Sequence, residues 1–303
     1  MKYVKEIKKF KAERDSVVTL GKFDGVHRGH RKLIRRVLES ARENSWSPAV
    51  FTFDVSPQAA LGISRFQTLM TNQERREFLE KLGVETLVEC HFSELKDMEA
   101  EDFVKEILVD RLRAVHFVVG PDFHFGKNRK GSPKFLRELG KTMGFTVEIP
   151  DKEMDGDREI ASSYIREELQ QGRLEKANEL LGYPYFITGR VVHGRRQGHQ
   201  FGFPTINLIP APEKLLPPRG VYASRTEIAG TVYRGVSNLG CKPTVHGEFE
   251  GLETYLFQCG RDLYGQEAKV ELLSFLRPEK SFPSVEALKQ QMKSDVKAAE
   301  QIF

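Results

Sequence analysis

The chain has 303 residues, 39% of them hydrophobic and 30% charged, which is long for one core and sufficient for two. Its 47 basic and 43 acidic residues leave a formal charge of +4, too slight for the broad basic face that bulk nucleic-acid binding needs. No apolar run approaches a membrane span and the first residues lack the apolar stretch of a signal peptide. Three scattered cysteines, Cys90, Cys241 and Cys259, have no metal-ligand spacing and read as reduced thiols of a cytoplasmic protein.

Up to about residue 180, short apolar runs alternate with amphipathic stretches. Residues 17–20 read as a buried strand, and Leu33, Ile34, Val37, Leu38 and Ala41 mark one face of a helix over 29–44. Further strands are expected at 49–53, 84–88, 115–119 and 145–149. Helices are expected at 72–82, 99–111 and 133–143, with a helical pair over 162–181. This alternation predicts an α/β domain over 1–183, a doubly wound parallel sheet with right-handed crossovers and helices on both faces. After Tyr183-Pro184 the pattern changes to strands at 186–192, 220–227, 231–239, 252–258 and 268–276. A last helix over 284–302 has Ser284 as its N-cap. That predicts a second domain over 184–303, an antiparallel β barrel or sandwich with a terminal helix.

Ligands of an open parallel sheet bind beyond the carboxyl ends of its strands. Four unusual segments fall there: 21–30, 54–57, 120–126 and 160–166. In the first, Gly21-Lys22-Phe23-Asp24-Gly25-Val26-His27-Arg28-Gly29-His30, two histidines stand where a strand gives way to a helix. Helix N–H groups and the dipole favour phosphate at that point. Gly29 lacks the Cβ that would hold a phosphate away, and both imidazoles can donate to its oxygens. The alternative is a helix start that happens to carry histidines. Asp122, with Phe123 and Phe125 after it and flanked by Gly120 and Gly126, offers one polar group beside aromatic surface for a base or ribose; a tight loop with packed rings is the competing reading. Residues 120–127 mimic a P-loop, but the glycine spacing is one residue too long and Asn128 replaces the required Ser or Thr. Lys127 to Gly131 then reads as a mobile solvated loop. Ser162, Ser163 and Arg166 fit either a triphosphate or a plain serine-capped helix.

In the second half, 189–207 carries glycines at Gly189, Gly194, Gly198 and Gly202 interleaved with basic residues, followed by Pro204-Thr205-Ile206-Asn207. Glycines allow backbone amides to wrap an anion, and Thr205 and Asn207 share a strand face from which they could hold Mg²⁺–ATP. A basic RNA-binding hairpin and a solvated loop remain open on these residues alone.

Together, Phe-Asp-Gly-Val-His-x-Gly-His, Thr52-Phe53, Gly120-x-Asp122-Phe123-x-Phe125-Gly126 and Ile160 to Arg166 resemble the adenylyltransferase half of prokaryotic bifunctional riboflavin kinase/FMN adenylyltransferases. The resemblance implies AMP transfer from ATP to FMN. Gly21, Phe23, Asp24, Gly25, His27, Gly29, His30, Asp122, Ser162, Ser163 and Arg166 would then contact ATP, with Asp54, Pro57, Phe123 and Phe125 toward the flavin. Two departures stand out: Val55-Ser56-Pro57 where the family has Pro-His-Pro, and Ala161-Ser162-Ser163 where it has Ser-Ser-Thr. The second half resembles the riboflavin kinase of the same family through Pro204-Thr205-Ile206-Asn207, 238–244, Leu252-Glu253-Thr254-Tyr255, 262–265 and 275–282. By that resemblance Thr205 and Asn207 hold nucleotide and magnesium, Glu253 takes the proton from the riboflavin 5′-hydroxyl, and Arg277 contacts flavin or phosphate. The expected ligands are therefore riboflavin, FMN, ATP and Mg²⁺, with no nucleic acid and no membrane. A flavin- or RNA-binding regulator without turnover is the reading from another class.

Overall fold

A computed structural model describes residues 1–54, 67–193, 205–244 and 247–303, with backbone alone for 242–244 and 247–249. The chain divides into two compact units, Met1–Ser162 and Ser163–Phe303.

The first unit runs β1 (Lys2–Val4), β2 (Ser16–Leu20), α1 (Arg28–Asn44), β3 (Ser47–Phe53), α2 (Asn72–Leu82) and β4 (Thr86–Cys90). It continues with α3 (Ala100–Asp102, extended by π-helical turns over Phe103–Val109), β5 (Ala114–Val118), α4 (Pro133–Met143) and β6 (Thr146–Glu148). These six strands form one sheet in which every pair is parallel, in the order β1-β4-β3-β2-β5-β6. From β2 the chain moves outward through β3 and β4, then returns to lay β5 on the other side, so the order reverses between β2 and β5. That reversal is the topological switch point at which such sheets open a crevice for ligands.

All five residues of β2 are buried, as a strand covered on both faces requires. On one face Val37 and Ala41 of α1 pack against Val17 and Val118. On the other, Phe103, Ile107 and Leu108 of α3 and Leu136 of α4 pack against Val18, Phe51, Val88 and Phe117. α2 begins with a capping box in which Thr71 Oγ1 accepts the Glu74 amide (3.1 Å) and Glu74 accepts the Thr71 amide (2.9 Å). Two features escape the sequence pattern: edge strand β1, only three residues long, and a two-residue hairpin of β7 (Met154–Asp155) and β8 (Arg158–Glu159). The expected mobile loop at 127–131 is instead anchored: the Lys127 amide donates to the Met98 carbonyl (2.8 Å), and Lys127 and Lys130 flank Glu99.

The helical pair α5 (Ser162–Gln170) and α6 (Leu174–Leu181) is followed by β9 (Phe186–Arg190), β10 (Thr205–Leu208), β11 (Gly220–Ile228), β12 (Thr231–Thr244), β13 (Gly247–Leu256), β14 (Glu267–Arg277) and α7 (Val285–Glu300). The strands form one antiparallel sheet, β10-β13-β12-β11-β14-β9. A bridge between Val192 and Asn207 brings the two edges together, so the sheet curls into a barrel. Register shifts at Val221/Tyr222 and Ala223/Ser224 tighten that curl. Asn178 of α6 donates to the Leu272 carbonyl (3.0 Å) and accepts the Tyr185 amide (2.7 Å), which ties the helical pair to the barrel. The division expected at 183/184 lies beyond that pair. Among the described residues no helix is long and apolar enough to cross a membrane.

Two candidate active sites

Beyond Leu20 at the end of β2 the chain turns sharply to enter α1. Gly25 takes φ 80°, but Phe23 (φ 47°) and Val26 (φ 34°) also occupy the left-handed region, which side chains disfavour. Both are fully buried, and that burial holds conformations costing about 1–3 kcal/mol each. The turn makes His27 the N-cap of α1 and places His30 in its first turn. Their rings stack with centroids 3.8 Å apart and planes 25° from parallel, and the Phe23 ring lies 5.0 Å from His30. A Cβ on Gly29 would stand 3.3 Å from the His27 ring and 3.4 Å from the Ile160 carbonyl. Glycine at 29 is thus set by the packing of the turn itself, not only by room for a ligand.

Burial, reinforced by His27 and Arg75, holds His30 well below the usual histidine pKa, so its ring is neutral near pH 7. A neutral imidazole donates from one nitrogen only. His30 Nδ1 is buried without a hydrogen-bond partner among the described residues.

Asp24, expected at the nucleotide, is buried. Its Oδ1 accepts the amides of Leu69 (2.8 Å) and Met70 (3.1 Å), and its carbonyl accepts the Ser162 hydroxyl (2.9 Å). These bonds make it a brace of the turn. A second brace had no sequence signal. Arg75 of α2, 6% exposed, donates to the carbonyls of Lys22 (3.1 Å) and Phe53 (3.0 Å) and pairs with buried Glu89 of β4. Tyr3 of β1 donates to the other Glu89 oxygen (2.5 Å). Arg75 therefore links the loops that leave β2 and β3. Only its i, i+3 and i, i+4 helical neighbours are adjacent in sequence, so nothing local announces the bonds.

The adjacent strands β3, β2 and β5 carry Asp54, His27–His30 and Asp122 beyond their carboxyl ends. Asp54 pairs with His91 (2.8 Å). Asp122 is exposed and lies 3.3 Å from Lys152, whose pKa is raised by its bond to Glu159 and by Asp122. Phe123 stacks on Phe125 at 5.5 Å. Phe125, expected at the flavin, is 8% exposed and sits in the core against Phe103 and Phe135, leaving Phe123 as the aromatic available to a ligand. Gly131 was the missed signal, since a Cβ there would come within 2.6 Å of the Phe125 ring. Ser163 is exposed and Arg166 half-buried on α5, within the second unit. Pro57, Gly194, Gly198, Gly202 and Pro204, with the departure at 55–57, lie outside the described residues.

In the second unit a cleft opens on one face of the barrel. Thr205 of β10, Glu253 and Tyr255 of β13, Val236 and Asn238 of β12, Val221 of β11 and Arg277 of β14 line one wall. Leu288, Met292 and Val296 of α7, with Phe282 before it, form an apolar wall opposite. Alternation along each strand selects these residues: Ile206 and Thr254, one position away, are buried. Thr205 Oγ1 donates to Glu253 Oε1 (2.8 Å), and Asn207, also on β10, is opposite Glu253 in register. Gly189 lies within β9, paired with Ala268. Arg277 lines the cleft as expected, but its Nε and Nη2 donate to both Asp295 oxygens (2.9 and 2.7 Å). It fastens α7 over the cleft, so these donors are already engaged. The His193 and Tyr264 rings meet at 3.7 Å, tilted by 34°, a contact between distant segments that sequence spacing does not show.

Two family models cover most of the chain. One, described as FAD synthetase, matches residues 9–164, and the other, riboflavin kinase, matches 181–303. The bifunctional riboflavin kinase/FMN adenylyltransferase of Bacillus subtilis is 38% identical over 295 residues, covering 95% of this chain and 92% of that one. The chain belongs to this bifunctional family. The Haemophilus influenzae member is 35% identical over 94% of each chain, and the Escherichia coli member 35% identical over 95% of this chain and 92% of its own. A crystal structure from Streptococcus pneumoniae, described as a macrolide-efflux protein, matches with a TM-score of 0.88 and 32% identity over 98% of each chain. That match concerns the architecture; the family membership rests on the two domain models and the bifunctional relatives.

Proposed function

We propose that this chain phosphorylates riboflavin to FMN through residues 184–303 and adenylylates FMN to FAD through residues 1–183, acting in the cytoplasm with ATP at both steps. One observation supports it above the others: each unit has its own reacting constellation, a stacked His27–His30 pair at a helix start and a Thr205-held Glu253 in a cleft.

In the kinase half the riboflavin 5′-hydroxyl attacks the γ-phosphorus of ATP, ADP departs and the hydroxyl proton passes to Glu253. Thr205 orients that carboxylate by donating to Oε1, which leaves lone pairs of its own oxygen free. Those lone pairs and the Asn207 carboxamide are hard oxygen donors of the sort that hold Mg²⁺ jointly with substrate phosphates. Bound there, the ion would neutralise phosphate charge.

In the transferase half a phosphate oxygen of FMN attacks the α-phosphorus of ATP and pyrophosphate leaves, so no general base is needed. His27 and His30 donate N–H groups to the phosphates beside the free amides of the α1 start. Asp122 and Phe123 serve the nucleoside or flavin.

Purified protein given riboflavin, ATP and magnesium should yield FMN and then FAD on chromatographic separation. His30→Ala should lose FAD formation and keep FMN formation, whereas Glu253→Gln should lose FMN formation yet still convert supplied FMN to FAD. Loss of both activities in both variants, with folding intact, would overturn this division of labour.

A further inference from the structure

Asn238 is a polar group of the kinase cleft that the reaction as described leaves unused. Its side chain lines the cleft, and its Oδ1 is buried with no hydrogen-bond partner among the described residues. The adjacent residue shows how this barrel treats polar groups that serve the fold. Ser237 is fully buried on the opposite strand face, where its hydroxyl meets those of Ser224 (2.8 Å) and Thr254 (2.7 Å). Buried acceptors are almost always partnered, and one left open in a ligand cleft points to a partner supplied by the ligand.

Register decides which part of the ligand that is. Asn238 pairs directly with Glu253 across β12 and β13. Directly opposed residues stand about 5 Å apart, a span covered by two or three carbons of a sugar-alcohol chain. A carboxamide oxygen accepts and so suits a hydroxyl, not a phosphate. Of the charged groups beside it, Arg277 is already paired with Asp295, while Glu253 accepts from Thr205 through one oxygen only.

We propose that Asn238 is a substrate-binding residue of the kinase half, its carboxamide oxygen accepting a hydrogen bond from a ribityl hydroxyl near the one that is phosphorylated. The inference rests on the reading of this cleft as the riboflavin site. The ribityl chain is thereby held with its terminal hydroxyl toward Glu253, while the apolar α7 wall faces the ring system.

The test compares riboflavin with lumiflavin, which has the same ring system and a methyl group in place of the ribityl chain. In the full-length chain, Asn238→Ala should raise the riboflavin KM and weaken riboflavin binding roughly tenfold, the loss of one hydrogen bond. Lumiflavin affinity, read by fluorescence, should not change, nor should FAD formation from supplied FMN. Equal weakening of both flavins would assign Asn238 to packing and overturn the proposal. An unchanged riboflavin KM and affinity, or a loss in kcat alone, would overturn it too. Glu253→Gln is run in parallel: if it leaves FMN formation intact, the reading of the cleft fails. If it abolishes FMN formation while Asn238→Ala changes nothing, only the role of Asn238 fails.

Discussion

At the scale of single residues, His30 has the most consequential environment. Burial holds its folded pKa well below 6.5, while the unfolded chain restores the ordinary value. As pH falls below 6.5 the unfolded state takes up that proton first, so the contribution is complete above 6.5 and is lost toward acid. The slope from this one group is at most about 1.4 kcal/mol per pH unit. His116, lowered chiefly by burial against the opposing pull of Glu148, acts in the same sense. Denaturant unfolding of His30→Asn should therefore show a shallower stability loss below pH 6.5 than the parent chain. A difference between the two that stays constant with pH would contradict this account. The same neutrality bears on chemistry: in the proposed reaction His30 would meet ATP as a hydrogen-bond donor and not as a standing cation.

At the scale of elements, the first site is built by bonds between segments distant in sequence. Arg75 of α2 holds the carbonyls of Lys22 and Phe53 while Glu89 of β4 balances its charge. Tyr3 of β1, its pKa pushed up to about 12 mainly by burial, closes the set. Glu89→Ala would leave a buried guanidinium uncompensated, and the expected cost is about 3–5 kcal/mol in urea unfolding. FAD formation should fall with it, because the turn that presents the histidines loses its anchor. Near-parental stability in Glu89→Ala would show the brace to be dispensable. In the second unit the Arg277–Asp295 pair does comparable work by fixing α7 above the barrel cleft.

At the scale of the whole molecule, two compact units with separate cores predict two unfolding transitions in calorimetry. Glu89→Ala should lower the temperature of one and leave the other in place; equal shifts in both would mean that the chain unfolds as a single cooperative body. The helical pair over 162–181 shows where sequence period reaches its limit. Its amphipathic pattern reads as more of the preceding α/β alternation, yet Asn178 bonds to β14 and the pair belongs with the barrel. Period tells that a helix has an apolar face but not which core receives it.

Local pattern was enough for most of the architecture. Apolar runs and helical stripes placed the main strands and helices of a parallel sheet and the change to antiparallel strands after 183, because periods of two and 3.6 residues follow from backbone geometry alone. The motifs at 21–30 and 252–255 singled out both candidate sites for the same reason, being local turns and strand faces. Residues sharing a segment type could not be sorted into those that meet a ligand and those that hold the site. Asp24 and Phe125 carry motif positions yet are buried in support, Arg75 and Glu89 carry none yet anchor the turn, and Asn238 emerges only once β12 lies beside β13. Burial, pKa and the partner of a polar atom depend on what the rest of the chain brings near it, and only the tertiary structure supplies that.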